Sequence, residues 1–348
     1  MIRTSHQLDF SAAPKTEAPL FLHEAAQWQA DLPPGPFVRI EQGIFAIEPS
    51  TMQVACYSGQ WQRWPLALHD ALPVADLALG ATCDGHLVMA FMDARQNHFR
   101  WLKHLGRASR NSRAPIYISR SEDNGRSWSA PTLIQTGYSG AVRSLVTLPN
   151  GRLVLASQYL LPKEGRYVSL THVSDDGGLS WQASNWLDAG GQGHHDGAIE
   201  GYLLPLQDGR LWYLLRTNWD HFWYAFSQDD GTTWTETALG LQASSSPGAL
   251  LRLEDGRILL AYNPVGDHPP RRGVPFSQRL ASWYREKLVL RLSEDDGKSW
   301  CDPVTVAYCP GAWLSYPHLF EPTPGRIWLT TMQSGLRLEL NVEELFNG

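Results

Sequence analysis

The chain has 348 residues, of which 43% are hydrophobic and 18% charged, a globular composition that fits one large domain or two ordinary ones. Its net charge of −6 argues against nucleic acid or an anionic membrane surface as a partner. No run of about 18 apolar residues could span a membrane, and the N-terminal segment lacks the apolar stretch of a signal peptide. We therefore expect a cytoplasmic protein, or a secreted one if a leader has been removed.

Taken in chain order, the sequence predicts short strands and turns without amphipathic helices between them. Residues 1–36 form an N-terminal extension, and we expect residues 37–70 to contribute strands to the unit in which the two chain ends pair. Beyond them, five segments each place an x-Gly turn before an apolar strand. These segments are CDGHLVMAF (83–91), PNGRLVLAS (149–157), QDGRLWYLL (207–215), EDGRILLAY (254–262) and TPGRIWLTT (323–331).

A second repeat, the box turn, has the pattern S-x-D-x-G-x-x-W. It begins at Ser121, Ser174, Ser227 and Ser293, at intervals of 53, 53 and 66 residues. Asp and Ser side chains hydrogen-bond nearby backbone groups and Gly accepts a positive φ, so the pattern predicts a tight hairpin turn. We interpret its residues as structural.

The two repeats together predict the architecture. Each unit contains four short antiparallel strands, which is typical of one blade of a β-propeller. The five x-Gly turns indicate five blades, and residues 38–62 can supply strands for a sixth. The predicted fold is all-β, a six-bladed β-propeller that forms a single domain over residues 1–348.

Box turns repeated on a β-propeller resemble the Asp boxes of the sialidase superfamily, the BNR-repeat proteins, over roughly residues 70–340. The resemblance implies an active site around the central axis, where the innermost strand of each blade begins. Because fold alone does not imply chemistry, the residues ahead of the x-Gly turns carry the functional prediction.

Glu200 and Arg216 flank one x-Gly turn as the resemblance requires. Glu200 interrupts an apolar stretch nine residues ahead of Gly209, and Arg216 follows that glycine by seven residues. A buried carboxylate is costly unless it is paired. The resemblance implies that Glu200 polarises a tyrosine nucleophile and that Arg216 binds the carboxylate of the substrate.

Tyr316, in the segment LSYPHLF, stands where the resemblance places the nucleophile. A phenol with an ordinary pKa near 10 needs a neighbouring base, and Glu200 can be that base. Arg285 resembles a second carboxylate-binding arginine, with Arg279 and Arg291 as alternatives.

Two expected groups are missing. Where the superfamily has a first arginine, this chain reads Val-Ala-Asp and places Asp76. The resemblance continues to Arg95, which we expect to bind substrate together with His98. The loop after Arg95 then lacks the acidic residue that donates a proton in sialidases, and a gapless reading places Asn111 there.

General acid catalysis typically contributes about 10²–10⁴-fold, so a replacement donor matters. Asp76, His98 and the cluster His194-His195-Asp196 are the candidates, and a histidine titrates near neutral pH. The cluster lacks the spacing of a metal site, so we expect neither a metal nor a cofactor.

The sequence therefore predicts a sialidase-like exo-glycosidase acting on an anionic, carboxylated sugar. A polysaccharide lyase that uses Tyr316, His195 and Arg216 on uronate-containing glycans is one alternative, and a catalytically inactive glycan-binding propeller is another. The expected partner is an anionic saccharide. Neither the exact sugar nor the oligomeric state follows from the sequence.

Overall fold

Short antiparallel strands make up nearly all the regular structure in the computed structural model, which describes residues 1–266 and 283–347. Strands β1 (Ile2–Thr4), β2 (Leu20–Leu22) and β3 (Ala26–Trp28) precede the first complete blade. Blade 1 contains β4 (Phe37–Ile40), β5 (Gly43–Glu48), β6 (Gln53–Tyr57) and β7 (Trp61–Pro65).

Blade 2 contains an insertion between its second and third strands. Its strands are β8 (Val74–Ala81), β9 (Leu87–Asp93), β12 (Ile116–Ser121) and β13 (Thr132–Gln135), and the inserted hairpin pairs β10 (Trp101–Leu102) with β11 (Arg107–Ala108). Blade 3 contains β14 (Leu145–Thr147), β15 (Leu153–Leu161), β16 (Arg166–Ser174) and β17 (Gln182–Ala183).

Three further blades complete the ring. Blade 4 contains β18 (Ile199–Pro205), β19 (Leu211–Arg216), β20 (His221–Ser227) and β21 (Glu236–Gln242). Blade 5 contains β22 (Ala249–Arg252), β23 (Ile258–Tyr262), β24 (Lys287–Ser293) and β25 (Val304–Tyr308), extended by β2 and β1. Blade 6 contains β26 (Pro317–Thr323), β27 (Arg326–Thr331), β28 (Arg337–Asn341) and β3.

Helices are short. Three 3₁₀ turns span His69–Ala71, Ala94–Gln96 and Lys103–Leu105, and α1 spans Val342–Phe346 near the end of the chain. None of the helices in residues 1–266 and 283–347 has the length and apolar composition to cross a membrane.

The ring closes differently from the sequence-based expectation. We expected residues 37–70 to contribute to the closing blade, but residues 37–65 form blade 1 by themselves. The closing strand is β3, which lies within the stretch expected to be an N-terminal extension and pairs Leu340 with Ala26 and Leu338 with Trp28. Strand β28 would otherwise leave an open edge of unpaired backbone groups, and β3 covers it.

The box turns are structural, as the sequence indicates. In the third one, the Asp229 carboxylate accepts hydrogen bonds from the Ser227 hydroxyl (2.8 Å) and the Thr233 N–H (2.8 Å), while the Gly231 N–H bonds to Ser227 Oγ (2.9 Å). Gly231 has φ +81°, and a Cβ there would meet Val154 of blade 3 at 2.8 Å. The glycine therefore allows both the turn and close packing of neighbouring blades.

Strand direction divides the ring into two faces. Each inner strand of blades 2 to 6 begins on one face, called the axial face, and ends at an x-Gly turn on the opposite one, called the turn face. The box turns follow the third strand of a blade, so they also lie on the turn face. Residues at the starts of inner strands from different blades consequently converge around the axis.

Candidate active site

Tyr316 and Glu200 meet on the axial face, although 116 residues separate them. The Tyr316 hydroxyl donates a hydrogen bond to Glu200 Oε1 at 3.0 Å. Both residues have positive φ, 62° for Tyr316 and 48° for Glu200, and the register of β18 shifts between Ile199 and Tyr202. Strained backbone and bulges at the starts of inner strands turn side chains toward functional sites.

Arg216 holds this pair together. It ends β19 directly opposite Ile199, so the hairpin register brings it beside Glu200. Its Nη1 donates to Tyr316 Oη at 3.2 Å and forms an ion pair with Glu200, and its Nη2 donates to Ser245 Oγ at 3.0 Å. Since groups of the protein itself occupy these donors, Arg216 orients the Tyr316 hydroxyl and the Glu200 carboxylate.

Arg285 approaches the same tyrosine from blade 5. It is 3% exposed, its Nη1 donates to Gln333 at 3.0 Å and its Nη2 to the Ser245 carbonyl at 2.7 Å. Its guanidinium lies 5.5 Å from the centre of the Tyr316 ring. Burial lowers the pKa of Arg285 to about 10, so it remains cationic at neutral pH.

The alternatives to Arg285 are placed elsewhere. Arg291 donates to the Tyr262 hydroxyl (3.0 Å) and the Cys301 carbonyl (2.9 Å), a packing role within blade 5. Arg279 lies outside the described residues.

Arg143 is a site residue that the sequence reasoning missed. It is 3% exposed and its guanidinium lies 5.1 Å from the centre of the Tyr316 ring. It precedes Gly151 by eight residues, much as Glu200 precedes Gly209 by nine. Inspecting the start of every inner strand, including that of blade 3, would have identified it.

Asp76 lies at a register shift at the start of β8, and its carboxylate accepts hydrogen bonds from the N–H groups of Leu77 (3.0 Å) and Val142 (3.0 Å). Burial raises the pKa of Asp76 to about 6, against the opposing charge of Arg143. A carboxyl group with this pKa can hold a proton in weakly acidic solution and release it during a reaction.

The pKa of Glu200 is shifted in the opposite direction to that of Asp76. Burial opposes its ionisation, but the charge of Arg216 and its hydrogen bond hold the pKa of Glu200 below its usual range. Burial and the Glu200 charge together raise the pKa of Tyr316, despite the neighbouring arginines. The pKa of Asp76 is thus raised while that of Glu200 is lowered, although both carboxyl groups lie near Arg143.

His195 lies near enough to Arg216 and Arg285 to feel their charge, but it is a poor proton donor. Its ring packs against His194 (4.0 Å) and Trp283 (5.3 Å). Burial, together with His194 and the nearby arginines, lowers the pKa of His195 to about 2, so the imidazole is neutral at pH 7.

The structure does not bring Arg95 and His98 to the tyrosine. The Arg95 guanidinium binds Asp93 at 3.2 Å with 53% of its side chain exposed, and His98 is also exposed. Neither has a contact with Tyr316 or Glu200 within the described part of the chain. Across the same residues, no cluster of three or more His, Cys, Asp or Glu side chains could hold a metal ion.

Comparison with known proteins identifies relatives of this architecture. Residues 77–329 match the model of the family described as BNR repeat-like domain. No curated protein matches the sequence significantly.

Solved structures of similar fold include a protein of unknown function from Dyadobacter fermentans, at 16% identity and TM-score 0.62 over 95% of this chain and 98% of that one. A Hadza microbial sialidase is similar at 17% identity and TM-score 0.62 over 90% of this chain and 66% of that one. Trypanosoma rangeli sialidase in complex with sialic acid is similar at 15% identity and TM-score 0.54 over 88% of this chain and 53% of that one.

The chain thus spans about two thirds and about half of the length of these two sialidases. At such identities the structural similarity establishes the fold alone and confirms the six-bladed propeller. The resemblance to BNR-repeat proteins is confirmed by the family match over residues 77–329.

Proposed function

Because this chain belongs to the BNR repeat-like domain family, we propose that it is an exo-glycosidase that cleaves a carboxylated sugar from a glycan with Tyr316 as nucleophile. The observation that carries the proposal is the Tyr316–Glu200 hydrogen bond of 3.0 Å, enclosed by three buried arginines.

In the first step, Tyr316 Oη attacks the anomeric carbon while the bond from that carbon to the leaving oxygen breaks. Glu200, whose Oε1 already accepts the phenol hydrogen, takes that proton. The leaving oxygen needs a proton of its own, and Asp76 supplies it. Its pKa of about 6 supports this role better than that of His195, which is about 2.

In the second step, water attacks the same carbon and the bond to Tyr316 breaks. The Asp76 carboxylate accepts a proton from the water, and Glu200 returns its proton to the phenolate. Both catalytic groups thereby regain their starting protonation states. Two displacements at one carbon retain its configuration.

The charge of the site supports an anionic substrate. Arg143, Arg216 and Arg285 supply three positive charges, whereas Glu200 and Asp76 supply at most two negative ones. The chain as a whole carries a net charge of −6, so the positive charge is concentrated at the axis. A neutral nucleophile also avoids the repulsion that a carboxylate nucleophile would meet near a carboxylated anomeric carbon.

The test combines turnover with chemical trapping. Fluorogenic glycosides of 2-keto-3-deoxy sugar acids and of hexuronic acids are assayed beside the matching carboxamide sugars. A fluorinated glycosyl fluoride of the best substrate is then used to trap the intermediate, and the labelled peptide is located by mass spectrometry. We expect turnover of a carboxylated glycoside only, and a glycosyl adduct on Tyr316 that Tyr316→Phe lacks.

Other outcomes separate the alternatives. An adduct on another residue contradicts the nucleophile assignment. Release of an ultraviolet-absorbing unsaturated product from uronate polymers indicates a lyase. Tight binding of an acidic glycan without turnover or trapping indicates a glycan-binding propeller.

A further inference from the structure

Arg143 is a buried cation that has neither an ion pair nor an oxygen acceptor in the described part of the chain. Its Nε and Nη2 have no hydrogen-bond acceptor within residues 1–266 and 283–347, and its Nη1 meets only the sulfur of Met332, a weak acceptor. Buried charges are normally paired. Arg216 follows that rule, because it is paired with Glu200. Arg285 has no ion pair among the described residues either, but two of its nitrogens donate to the oxygens of Gln333 and Ser245.

The aromatic ring of Tyr316 is a direct neighbour of Arg143, beside the more general influence of the Asp76 and Glu200 charges. At 5.1 Å from the ring centre, the guanidinium is within the range of a cation–π interaction. A neutral phenol attracts it through the ring quadrupole alone, whereas a phenolate attracts it as a full opposite charge. In a buried site with little water, the second interaction is much stronger.

Arg143 also restores a charge that blade 2 lacks. The resemblance leads us to expect an arginine near the start of β8, and Asp76 stands there instead. The Asp76 carboxylate accepts the N–H of Val142, the residue immediately before Arg143, at 3.0 Å. The acidic residue in blade 2 therefore fixes the backbone that presents a cation from blade 3.

We propose that Arg143 is a positioning residue that stabilises negative charge on the Tyr316 oxygen, both when the phenol attacks the sugar and when it leaves the glycosyl-enzyme. The inference rests on the proposed function, in which Tyr316 is the nucleophile. Within the described residues, the other charged or titratable groups that act on Tyr316 are Glu200, Arg216, Arg285 and Tyr167. Among the three arginines Arg143 is the one that donates to no oxygen within residues 1–266 and 283–347.

One test requires no turnover. The protein is labelled with ¹³Cζ-tyrosine, the Tyr316 resonance is assigned by its loss in Tyr316→Phe, and its ionisation is followed by NMR. We expect Arg143→Met to move ionisation to higher pH by about one unit or more, because a nearby cation favours the phenolate. Arg143→Lys should retain part of the effect.

The matched control is Arg291→Met, which removes an arginine that contacts another tyrosine, Tyr262, at 3.0 Å. It should leave the Tyr316 midpoint unchanged. Equal midpoints for wild type and Arg143→Met would overturn the inference even if Tyr316 is the nucleophile. Thermal unfolding checks that each variant is folded, and Arg143→Lys keeps the test decisive if Arg143→Met does not fold.

A kinetic test separates this role from substrate binding. With the trapping substrate, we expect Arg143→Met to slow both formation and decay of the Tyr316 adduct by roughly ten-fold or more, with little change in KM. A variant that changes only KM would show that Arg143 binds the substrate and would contradict the inference. If wild type forms no adduct at Tyr316, the proposed function fails, whereas an adduct formed equally fast in Arg143→Met contradicts the inference alone.

Discussion

On the turn face, the carboxylate of Asp229 is bonded by Ser227 and Thr233, two and four residues away in the sequence. On the axial face, Glu200 is held by Arg216 and Tyr316, which are 16 and 116 residues away. Both are acidic side chains with hydrogen-bond partners, but the first set is complete within one turn. The second set exists only once blades 4 and 6 have assembled around the axis.

The pKa values of the carboxyl groups also differ between the turn face and the axial face. Burial opposes ionisation of Asp176 in the second box turn, yet hydrogen bonds from its own turn lower its pKa to about 2. On the axial face burial raises the pKa of Asp76 to about 6, while Arg216 lowers that of Glu200. The box-turn carboxylates are stabilised in their ionised form by hydrogen bonds from their own turn. The pKa values of the axial carboxyl groups are set by distant residues instead, and groups of that kind are candidates for proton transfer.

The largest expected effect is at the tyrosine–glutamate pair. Tyr316→Phe removes the oxygen of the proposed nucleophile, and we expect kcat/KM to fall roughly 10³-fold or more while the fold is kept. Glu200→Gln removes the base and should give a similar loss. Steady-state kinetics with circular dichroism as a folding check measure this. Retention of wild-type kcat in either variant would show that Tyr316 and Glu200 have a structural role, as the box-turn residues do.

Asp76→Asn should affect substrates according to their leaving groups. The variant cannot donate a proton, so we expect a loss of about 10²–10⁴-fold with an alkyl or sugar leaving group. An aryl glycoside whose leaving group needs no proton should react at nearly the wild-type rate in the first step. A uniform loss across leaving groups would contradict the assignment of Asp76 as the acid.

The pH dependence of activity should reveal the two carboxyl groups. Asp76 must be protonated and its pKa is raised to about 6, so kcat/KM should decline above that pH, by about ten-fold per pH unit. In the proposed mechanism Glu200 must be ionised, and because its pKa is lowered, activity should persist at pH values below the usual titration range of a glutamate. A pH–rate profile tests both limbs, and in Asp76→Asn the decline near pH 6 should be absent.

The smallest expected effect belongs to the turn face. Asp229→Ala removes the acceptor for Ser227 and Thr233, and we expect a loss of about 1 kcal/mol or more in the free energy of unfolding. Activity per folded molecule should not change. Urea unfolding and kinetics on the same preparation give the two values, and a selective loss of kcat would mean that the comparison between the faces is wrong.

The blades could be predicted from the sequence because each is marked by short motifs of consecutive residues. The box-turn motif is eight residues long, and each x-Gly turn with its apolar strand is nine residues long. Both can therefore be recognised without knowing which residues pack beside them. The closing blade was assigned incorrectly because the choice between residues 26–28 and 37–65 as partner of β28 depends on which strand lies at its open edge. No short pattern records that choice.

The candidate site was predictable only in part. Glu200, Arg216, Arg285 and Tyr316 were identified by the resemblance, and the structure brings them together. Arg95 and His98 were expected at the substrate, but the structure places them at an exposed ion pair and an exposed loop. Arg143 was overlooked because the resemblance supplied no expected site residue at the start of the inner strand of blade 3.

By itself the sequence determined the repeating blade, its turns and the residues that could begin an inner strand. Only the tertiary structure decided which of these residues lie close together. The hydrogen bonds and charges that shift their pKa values come largely from other blades. Asp76 illustrates the difference. In the sequence it is one carboxyl group where an arginine was expected, and in the fold it gains a raised pKa and an N–H bond from Val142 beside Arg143. Burial and long-range charge, which no local pattern encodes, produce that change.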